Sequence, residues 1–162
     1  MIDFTLNGQP ARLALATDYP LLDALRQQLG LNSPRLGCGL EQCGTCHVLI
    51  DGRSVPTCSS SVDRLAGRCV TTLEAGREGC PDPMQPILHA LQQAFVAEEA
   101  AQCGYCTNGL LISAAALLAE EPTPDDARVR AALDGHLCRC GAHLRVLRAV
   151  QRAARQLQEA RA

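Results

Sequence analysis

GCGLEQCGTCHVLIDGRSVPTC, residues 37–58, carries four cysteines in the spacing C-x4-C-x2-C-x11-C among four glycines. Thiols gathered this tightly suit three chemistries: a disulfide knot, a zinc site or an iron–sulfur cluster. Which of them applies decides the fold, because each asks for a different scaffold around the loop.

The redox compartment narrows the choice. The first residues, MIDFTLNGQPARL, show no basic start followed by an apolar core, so no secretory signal is visible. The longest apolar run, residues 109–119, is too short to cross a bilayer. The expectation is a cytoplasmic protein with no membrane span, unless a signal-bearing partner carries it out folded. In a reducing compartment ten cysteines read as metal ligands before they read as disulfides. Hydrophobic residues make up 47% of the 162 and charged residues 20%, a globular balance. All 15 basic residues are arginine and the net charge is −2. With two Tyr, two Phe and no Trp, platforms for stacking bases are scarce, which argues against a nucleic-acid partner.

Around the quoted stretch the chain changes character near residue 75. Before it, residues 2–6 and 11–15 flank Asn7-Gly8, a hairpin signal. Asp18 and Pro20 stand where an N-cap and a first-turn proline belong, ahead of a helix with Leu22, Leu25 and Leu29 on one face that ends at Gly30. Residues 47–50 and 68–73 read as strands. The pattern predicts a small mixed sheet, one crossing helix and a long cysteine loop. From Pro83 the period is helical: Met84, Ile87, Leu88, Leu91 and Phe95 form one stripe, and Leu110, Leu111, Ala114, Leu117 and Leu118 a second. After the break at 122–124, residues 125–133 form a third helix. Leu144, Leu147, Val150 and Leu157 mark a fourth. The expected organisation is α+β: a first domain over 1–75, a linker over 76–83 and a helical domain over 84–162.

Eight of the cysteines form two quartets, one in each half. Cys38, Cys43, Cys46 and Cys58 have the plant-type ferredoxin spacing of a [2Fe–2S] cluster. Gly37, Gly39 and Gly44 let the backbone aim N–H groups at sulfur. Structural zinc prefers two close pairs, and here four residues split the first pair. The second quartet, Cys103, Cys106, Cys138 and Cys140, is spaced C-x2-C-x31-C-x-C. Its C-x2-C, taken alone, equally suits a zinc half-site or a redox dithiol. The tight Cys138-Arg139-Cys140 pair argues against ordinary zinc geometry.

The order GCGLEQCGTC, then QCGYCTNG (residues 102–109), then LCRCGAH (residues 137–143) resembles the small iron–sulfur subunit of molybdenum hydroxylases, the xanthine dehydrogenase family. The resemblance spans nearly the whole chain. It implies a β-grasp, plant-type ferredoxin-like domain followed by a four-helix bundle, each with one [2Fe–2S] cluster. It implies that the second quartet lies nearest a molybdopterin cofactor held by a separate large subunit, in the cytosine-dinucleotide form if the source is bacterial. Gln102 and Cys140 match the positions that contact the pterin. Many members read C-T-P-G and C-R-C-T-G-Y where this chain has Asn108 and Gly141-Ala142-His143. That variant is similar to the isoquinoline- and nicotinate-oxidising branch, whose members often lack a flavin subunit, giving their electrons to cytochromes. The resemblance therefore implies an electron-transfer subunit that works with a large molybdenum subunit, a flavin subunit or a cytochrome c acceptor, and an N-heterocyclic or aldehyde substrate. A free-standing two-cluster ferredoxin and a zinc-stabilised binding module are the rival readings.

Other residues carry less. Cys69, in a strand, reads as packing, and Cys80 as a linker thiol. His47 stands where the family commonly has a small hydroxyl residue, so a hydrogen bond or charge beside the cluster competes with a plain strand position. His89 and His143 read as core or interface residues, and His136 as one that orients the Cys138 loop. Arg145, Arg148, Arg152 and Arg155 form a basic face on the last helix, either solvated or a docking surface. There is no catalytic triad, phosphate loop or dinucleotide fingerprint, so no substrate chemistry is expected in this chain.

Overall fold

The computed structural model describes residues 1–161. Asn7 and Gly8 both take positive φ (49° and 77°) and turn the chain between β1 (Ile2–Leu6) and antiparallel β2 (Gln9–Leu13). The second strand starts two residues before the apolar pattern does, because a two-residue turn fixes the register with Leu6 opposite Gln9. Three short strands complete the sheet: β3 (Val48–Ile50), β4 (Arg53–Val55) and β5 (Cys69–Thr71). Their order is β2-β1-β5-β3-β4, with β1 and β5 parallel and the other neighbours antiparallel. The edge strand β4 is too short to register as a strand in the sequence pattern.

The expected crossing helix is present but differs in form. It begins at Pro20 rather than Asp18, since Leu21 N–H bonds to the Ser60 carbonyl at 2.8 Å and anchors the first turn. After α1 (Leu21–Asp23) it widens into a π-type turn over Ala24–Gln28, closed by Leu29 N–H on the Ala24 carbonyl at 3.1 Å. Leu22 and Leu25 are buried as expected, Leu29 is only half-buried, and Leu21 joins the buried face.

The helical half contains α2 (Gln85–Ala97), α3 (Thr107–Glu120), α4 (Asp126–Leu133) and α5 (His143–Glu159). Asp125 caps α4 by accepting from Arg128 N–H at 2.8 Å. Ile87, Leu88, Leu91 and Phe95 of α2 enter the core with the α3 stripe, as their spacing predicts. On α5 the buried side chains are Val146, Ala149, Val150, Ala153 and Ala154, and Leu144 is exposed. The stripe expected from the leucines is thus rotated by about one residue: small alanines, which a leucine count overlooks, let α5 lie close to α2. The whole is an α+β protein. Among the described residues no helix is long and apolar enough to cross a membrane.

Strand β3 joins the two halves. Val48 and Ile50 point into the core of Ile2, Phe4, Leu25 and Val70, whereas Leu49 points the other way into the helical core. A strand covered on both faces is apolar at every position, which explains the unbroken Val-Leu-Ile. Burial of each such side chain is worth roughly 1.5–3 kcal/mol.

The Gly- and Pro-rich stretch after β5 is anchored at both ends, with Arg77, Glu78, Gly79, Pro81 and Pro83 exposed between and beside them. A 3-10 turn, Leu73–Gly76, buries Ala75 and Gly76, and Asp82 accepts from the Thr71 hydroxyl at 2.7 Å and from Met84 N–H at 2.8 Å. Glu74 reaches back to the loop before the first quartet. It accepts from the N–H groups of Asn32 (3.0 Å) and Ser33 (2.9 Å) and from the hydroxyls of Ser33 and Thr72 (2.6 Å each). Burial alone would raise its carboxyl, but these donors outweigh burial and hold it below the usual carboxylate range. Glu74 therefore contributes stability that is complete above the unfolded carboxylate range, near 4.3, and is lost as pH falls through the lower folded value. Glu74→Gln is expected to cost about 1–2 kcal/mol at pH 7, and the gap to wild type should narrow as pH falls below about 4. Denaturant titrations at both pH values check this.

Candidate metal centres

The first quartet hangs on the loop between the π-type turn and β3, with Cys58 supplied by the turn after β4. The backbone curls so that N–H groups point at sulfur. Leu40 and Gln42 donate to Cys38 Sγ at 3.4 and 3.1 Å, Cys38 N–H to Cys43 Sγ at 3.4 Å, and Thr57 N–H to buried Cys46 Sγ at 3.4 Å. A Cβ at Gly37 would fall 2.6 Å from Cys43 Sγ, so glycine is required for the loop to close round the thiols. The Cys46 thiol lies close enough to Cys58 to raise it.

In the second quartet Cys103 and Cys106 lie in the turn entering α3, and Cys138 and Cys140 in the turn between α4 and α5. Cys140 Sγ lies 3.5 Å from Cys103 Sγ, and the Cys138 thiol lies close enough to Cys106 to raise it. Cys106 itself occupies the N-cap position of α3, at the positive end of the helix, without a capping side-chain hydrogen bond.

The thiols differ sharply in acidity. The N–H groups of Leu40 and Gln42 bring Cys38 down to about 7, and the N–H of Tyr105 lowers Cys103. Burial raises Cys58 to about 11 and, with the adjoining Cys138, Cys106 to about 12. Burial also opposes ionisation of Cys138, but the N–H of Ala142 and the Cys106 thiol outweigh it. Each quartet thus combines thiols ready to ionise with thiols that ionise only beside a cation, and a bound metal deprotonates such ligands outright.

Among the described residues no three His, Cys, Asp or Glu side chains converge as ligands of one ion must. The thiols approach two by two instead, Cys38 with Cys43, Cys46 with Cys58, Cys103 with Cys140 and Cys106 with Cys138. Two thiolates for each of two irons, under N–H groups directed at sulfur, is the donor set a [2Fe–2S] cluster takes. The residues present fit that group.

The two loops are fastened together. Leu137 N–H, next to Cys138, donates to the carbonyl of Cys43 at 3.2 Å. Buried Asn108 donates through Nδ2 to the carbonyls of Thr45 and His47, both at 2.9 Å. Thr45 Oγ1 donates to the Tyr105 carbonyl at 2.7 Å, Arg35 donates to the Gly104 carbonyl at 2.8 Å, and the Tyr105 hydroxyl donates to the Leu36 carbonyl. Gly44 has φ +76°, and a Cβ there would lie 2.0 Å from His136 Nδ1. A Cβ at Gly109 would lie 2.0 Å from the Gly44 carbonyl oxygen.

His47, whose position suits either a hydrogen bond or a plain strand residue, bonds through Nδ1 to Ser54 Oγ at 2.7 Å. His136 does pack into the junction before Cys138; burial, followed by the nearby His47, pushes it down to about 4, so it is neutral at pH 7. His89 is half-buried and Nδ1 contacts the Gly76 carbonyl at 3.1 Å. His143 is exposed rather than part of the core. Cys69 is exposed too: strand alternation turns Val70 inward and Cys69 out. Cys80 is half-buried with its thiol on the Asn7 carbonyl at 3.4 Å. The arginine face of α5 is largely engaged within the chain, Arg145 with Glu99 and Arg148 and Arg152 with Glu98. Gln102 is exposed beside Cys103. The fastening residues Arg35 and Thr45 have no signature in the sequence, because polar side chains at single positions carry no periodic signal. Asn108 does have one, standing where the family pattern has proline.

Adding one methyl group tests the junction. Gly109→Ala is expected to destabilise the protein by about 1–3 kcal/mol or more, since the obstructing atom is backbone. Thermal unfolding followed by circular dichroism measures this, and a melting temperature equal to wild type would contradict the packing.

Residues 4–82 match the 2Fe-2S iron-sulfur cluster binding domain family and residues 76–151 the [2Fe-2S] binding domain family. One subunit of the nicotinate dehydrogenase of Pseudomonas putida is 47% identical over 94% of this chain and 94% of its own length. The alpha subunit of the isoquinoline 1-oxidoreductase of Brevundimonas diminuta is 43% identical over 96% and 99%. Quinoline 2-oxidoreductase of Pseudomonas putida 86 superimposes with a TM-score of 0.86 at 33% identity, covering 98% of this chain and 95% of that one. The aldehyde oxidoreductase of Desulfovibrio desulfuricans gives a TM-score of 0.88 at 39% identity over 98% of this chain, which corresponds to 17% of that much longer chain. With its two [2Fe–2S] domains in this order and relatives matched end to end, the chain belongs to the small iron–sulfur subunits of the molybdenum hydroxylases, the xanthine dehydrogenase family.

Proposed function

We propose that this chain relays electrons from the molybdenum centre of a large partner subunit to an external acceptor, as the iron–sulfur subunit of a hydroxylase or dehydrogenase. Cys38, Cys43, Cys46 and Cys58 would hold one [2Fe–2S] cluster, in a β-grasp domain spanning 1–75. Cys103, Cys106, Cys138 and Cys140 would hold the other, in a four-helix bundle spanning 84–162. Each cluster, when bound, supplies a one-electron carrier, so two of them suit a two-electron oxidation in the partner. The N–H groups of Leu40, Gln42 and Thr57 stabilise negative charge on sulfur. The observation that carries the reading is the pair of thiol quartets joined by the Leu137 N–H···O=C Cys43 hydrogen bond, a compact link from one ligand loop to the other.

Gln102 and Cys140 would meet the pterin of the partner, in its cytosine-dinucleotide form, on the side of the helical half where Gln102 and Cys103 are exposed. Exposed Leu36, Tyr105 and Leu137 round the junction support a surface that a partner covers. Relatives named for nicotinate, isoquinoline and quinoline support an N-heterocyclic substrate, and those named aldehyde oxidoreductase support an aldehyde. A cytochrome c or a flavin subunit is the acceptor this reading calls for, and a cytoplasmic location accords with the thiol-rich composition.

Cys58→Ala tests the ligand assignment. In the anaerobically purified complex, iron should fall by about half, and one of two electron paramagnetic resonance signals of the reduced protein should vanish. Retention of both signals at full iron content would remove Cys58 from the ligands. A colourless, zinc-loaded wild-type protein would remove the relay itself.

A further inference from the structure

Between the two ligand loops lies a closed ring of polar side chains that the relay reading does not use. His47 Nδ1 meets Ser54 Oγ, Ser54 Oγ meets Ser113 Oγ, and Ser113 Oγ meets His136 Nε2, each at 2.7 Å. The imidazoles of His47 and His136 close the ring edge to face, with centroids 4.9 Å apart and planes at 70°. The four residues come from four places. His47 directly follows Cys46, Ser54 is in the edge strand β4, Ser113 is on α3, and His136 is two residues before Cys138.

The direction of the hydrogen bonds follows from one atom. His136 Nδ1 is buried without a partner, wedged against Gly44 and Gly109. A buried N–H left unpaired is rarer and costlier than an unpaired lone pair, so the proton sits on Nε2. His136 then donates to Ser113, Ser113 to Ser54, and Ser54 to the bare Nδ1 of His47. Both hydroxyls donate once and accept once, and the ring has one consistent polarity. Such a network tolerates little displacement, because an O···N contact of 2.7 Å weakens steeply when stretched or bent. An apolar cluster of the same volume would hold the halves together as strongly but would fix neither their distance nor their rotation as narrowly.

We propose that His47, Ser54, Ser113 and His136 are positioning residues that set how the two cluster-bearing loops face each other, and so set the coupling between the two iron–sulfur centres. This rests on the relay reading above. The cost of loosening the ring falls on the relation between the centres rather than on either alone, because the hydroxyls of Ser54 and Ser113 bond to His47, His136 and each other rather than to a quartet thiol, and the first loop keeps its own N–H donors.

The test uses the intact complex with Ser54→Ala, Ser113→Ala and the conservative Ser54→Thr, which keeps the hydroxyl on an edge strand that accepts a β-branched residue. Iron content, melting temperature and low-temperature electron paramagnetic resonance of the fully reduced protein are measured together. In wild type the two signals should be split by their mutual interaction. In both alanine variants iron content and the individual g-values should match wild type while the splitting shifts or disappears, and Ser54→Thr should restore it. If buried Ser113→Ala does not fold, the half-exposed Ser54→Ala alone gives the result. Splitting identical to wild type in a fully loaded alanine variant, even one that melts earlier, would reduce the ring to packing and overturn the proposal. So would a wild type with two signals and no splitting. A wild type without two such signals would instead bring down the relay reading itself.

Discussion

The carbonyl of Gly44 and the first turn of α3 approach so closely at Gly109 that not even a methyl group fits between them. Seven of the eight thiols assigned to the quartets, all but Cys58, are fastened to one side or the other of that contact. On one side is the loop that carries Cys38, Cys43 and Cys46; on the other are the turn with Cys103 and Cys106 and, through His136, the loop with Cys138 and Cys140. Close backbone packing is the means and glycine its condition, since a Cβ on Gly109 would meet the Gly44 carbonyl and one on Gly44 would meet the His136 ring. The hydrogen bonds of Asn108 and of Leu137 follow from it, since neither donor would reach a carbonyl of the opposite half if the backbones stood a side chain further apart.

Electrostatics favours building the molecule this way. Four thiolates and two sulfides round two irons leave net negative charge, and an added electron increases it. Water would stabilise that charge but would also reorganise at each transfer. Backbone N–H groups held in a curled loop do the same without moving, which is why the donors to Cys38, Cys43 and Cys46 are main chain rather than side chain. The uneven thiol acidities follow from the same arrangement: donors lower Cys38 and Cys103, and burial raises Cys58 and Cys106.

Much of this is legible in the sequence, and what is not has a physical reason. The Asn7-Gly8 hairpin, the mixed sheet and the stripes of α2 and α3 follow from local rules, and the structure bears them out. The leucines of α5 misplace its buried stripe because packing there is made by alanines, whose small size brings helices together without a strong hydrophobic signature. Cys69 reads as an inward strand residue and lies outside, since alternation gives a parity but not which parity faces the core. The quartets are visible because ligand spacing is local. The junction is not, because Ser54 and Ser113 are 59 residues apart and meet only after both halves have folded.

Distance in sequence also bears on how the relay is made accurate. A loop of thiols can be specified within a short stretch of chain, but the separation of two such loops is a tertiary quantity, fixed by whatever lies between them. Here that space holds Gly44 and Gly109 as the stop, and the bonds among His47, Ser54, Ser113 and His136 as the gauge. A stop alone sets the minimum distance and leaves rotation free. The ring of four directional contacts adds to the bonds of Asn108, Thr45, Arg35, Tyr105 and Leu137 in removing that freedom, at the cost of one unpaired nitrogen on His136. A single wire needs only good ligands, whereas a pair of carriers needs a fixed relation between them, and the buried polar residues Thr45, Asn108, Ser113 and His136 lie where that relation is set.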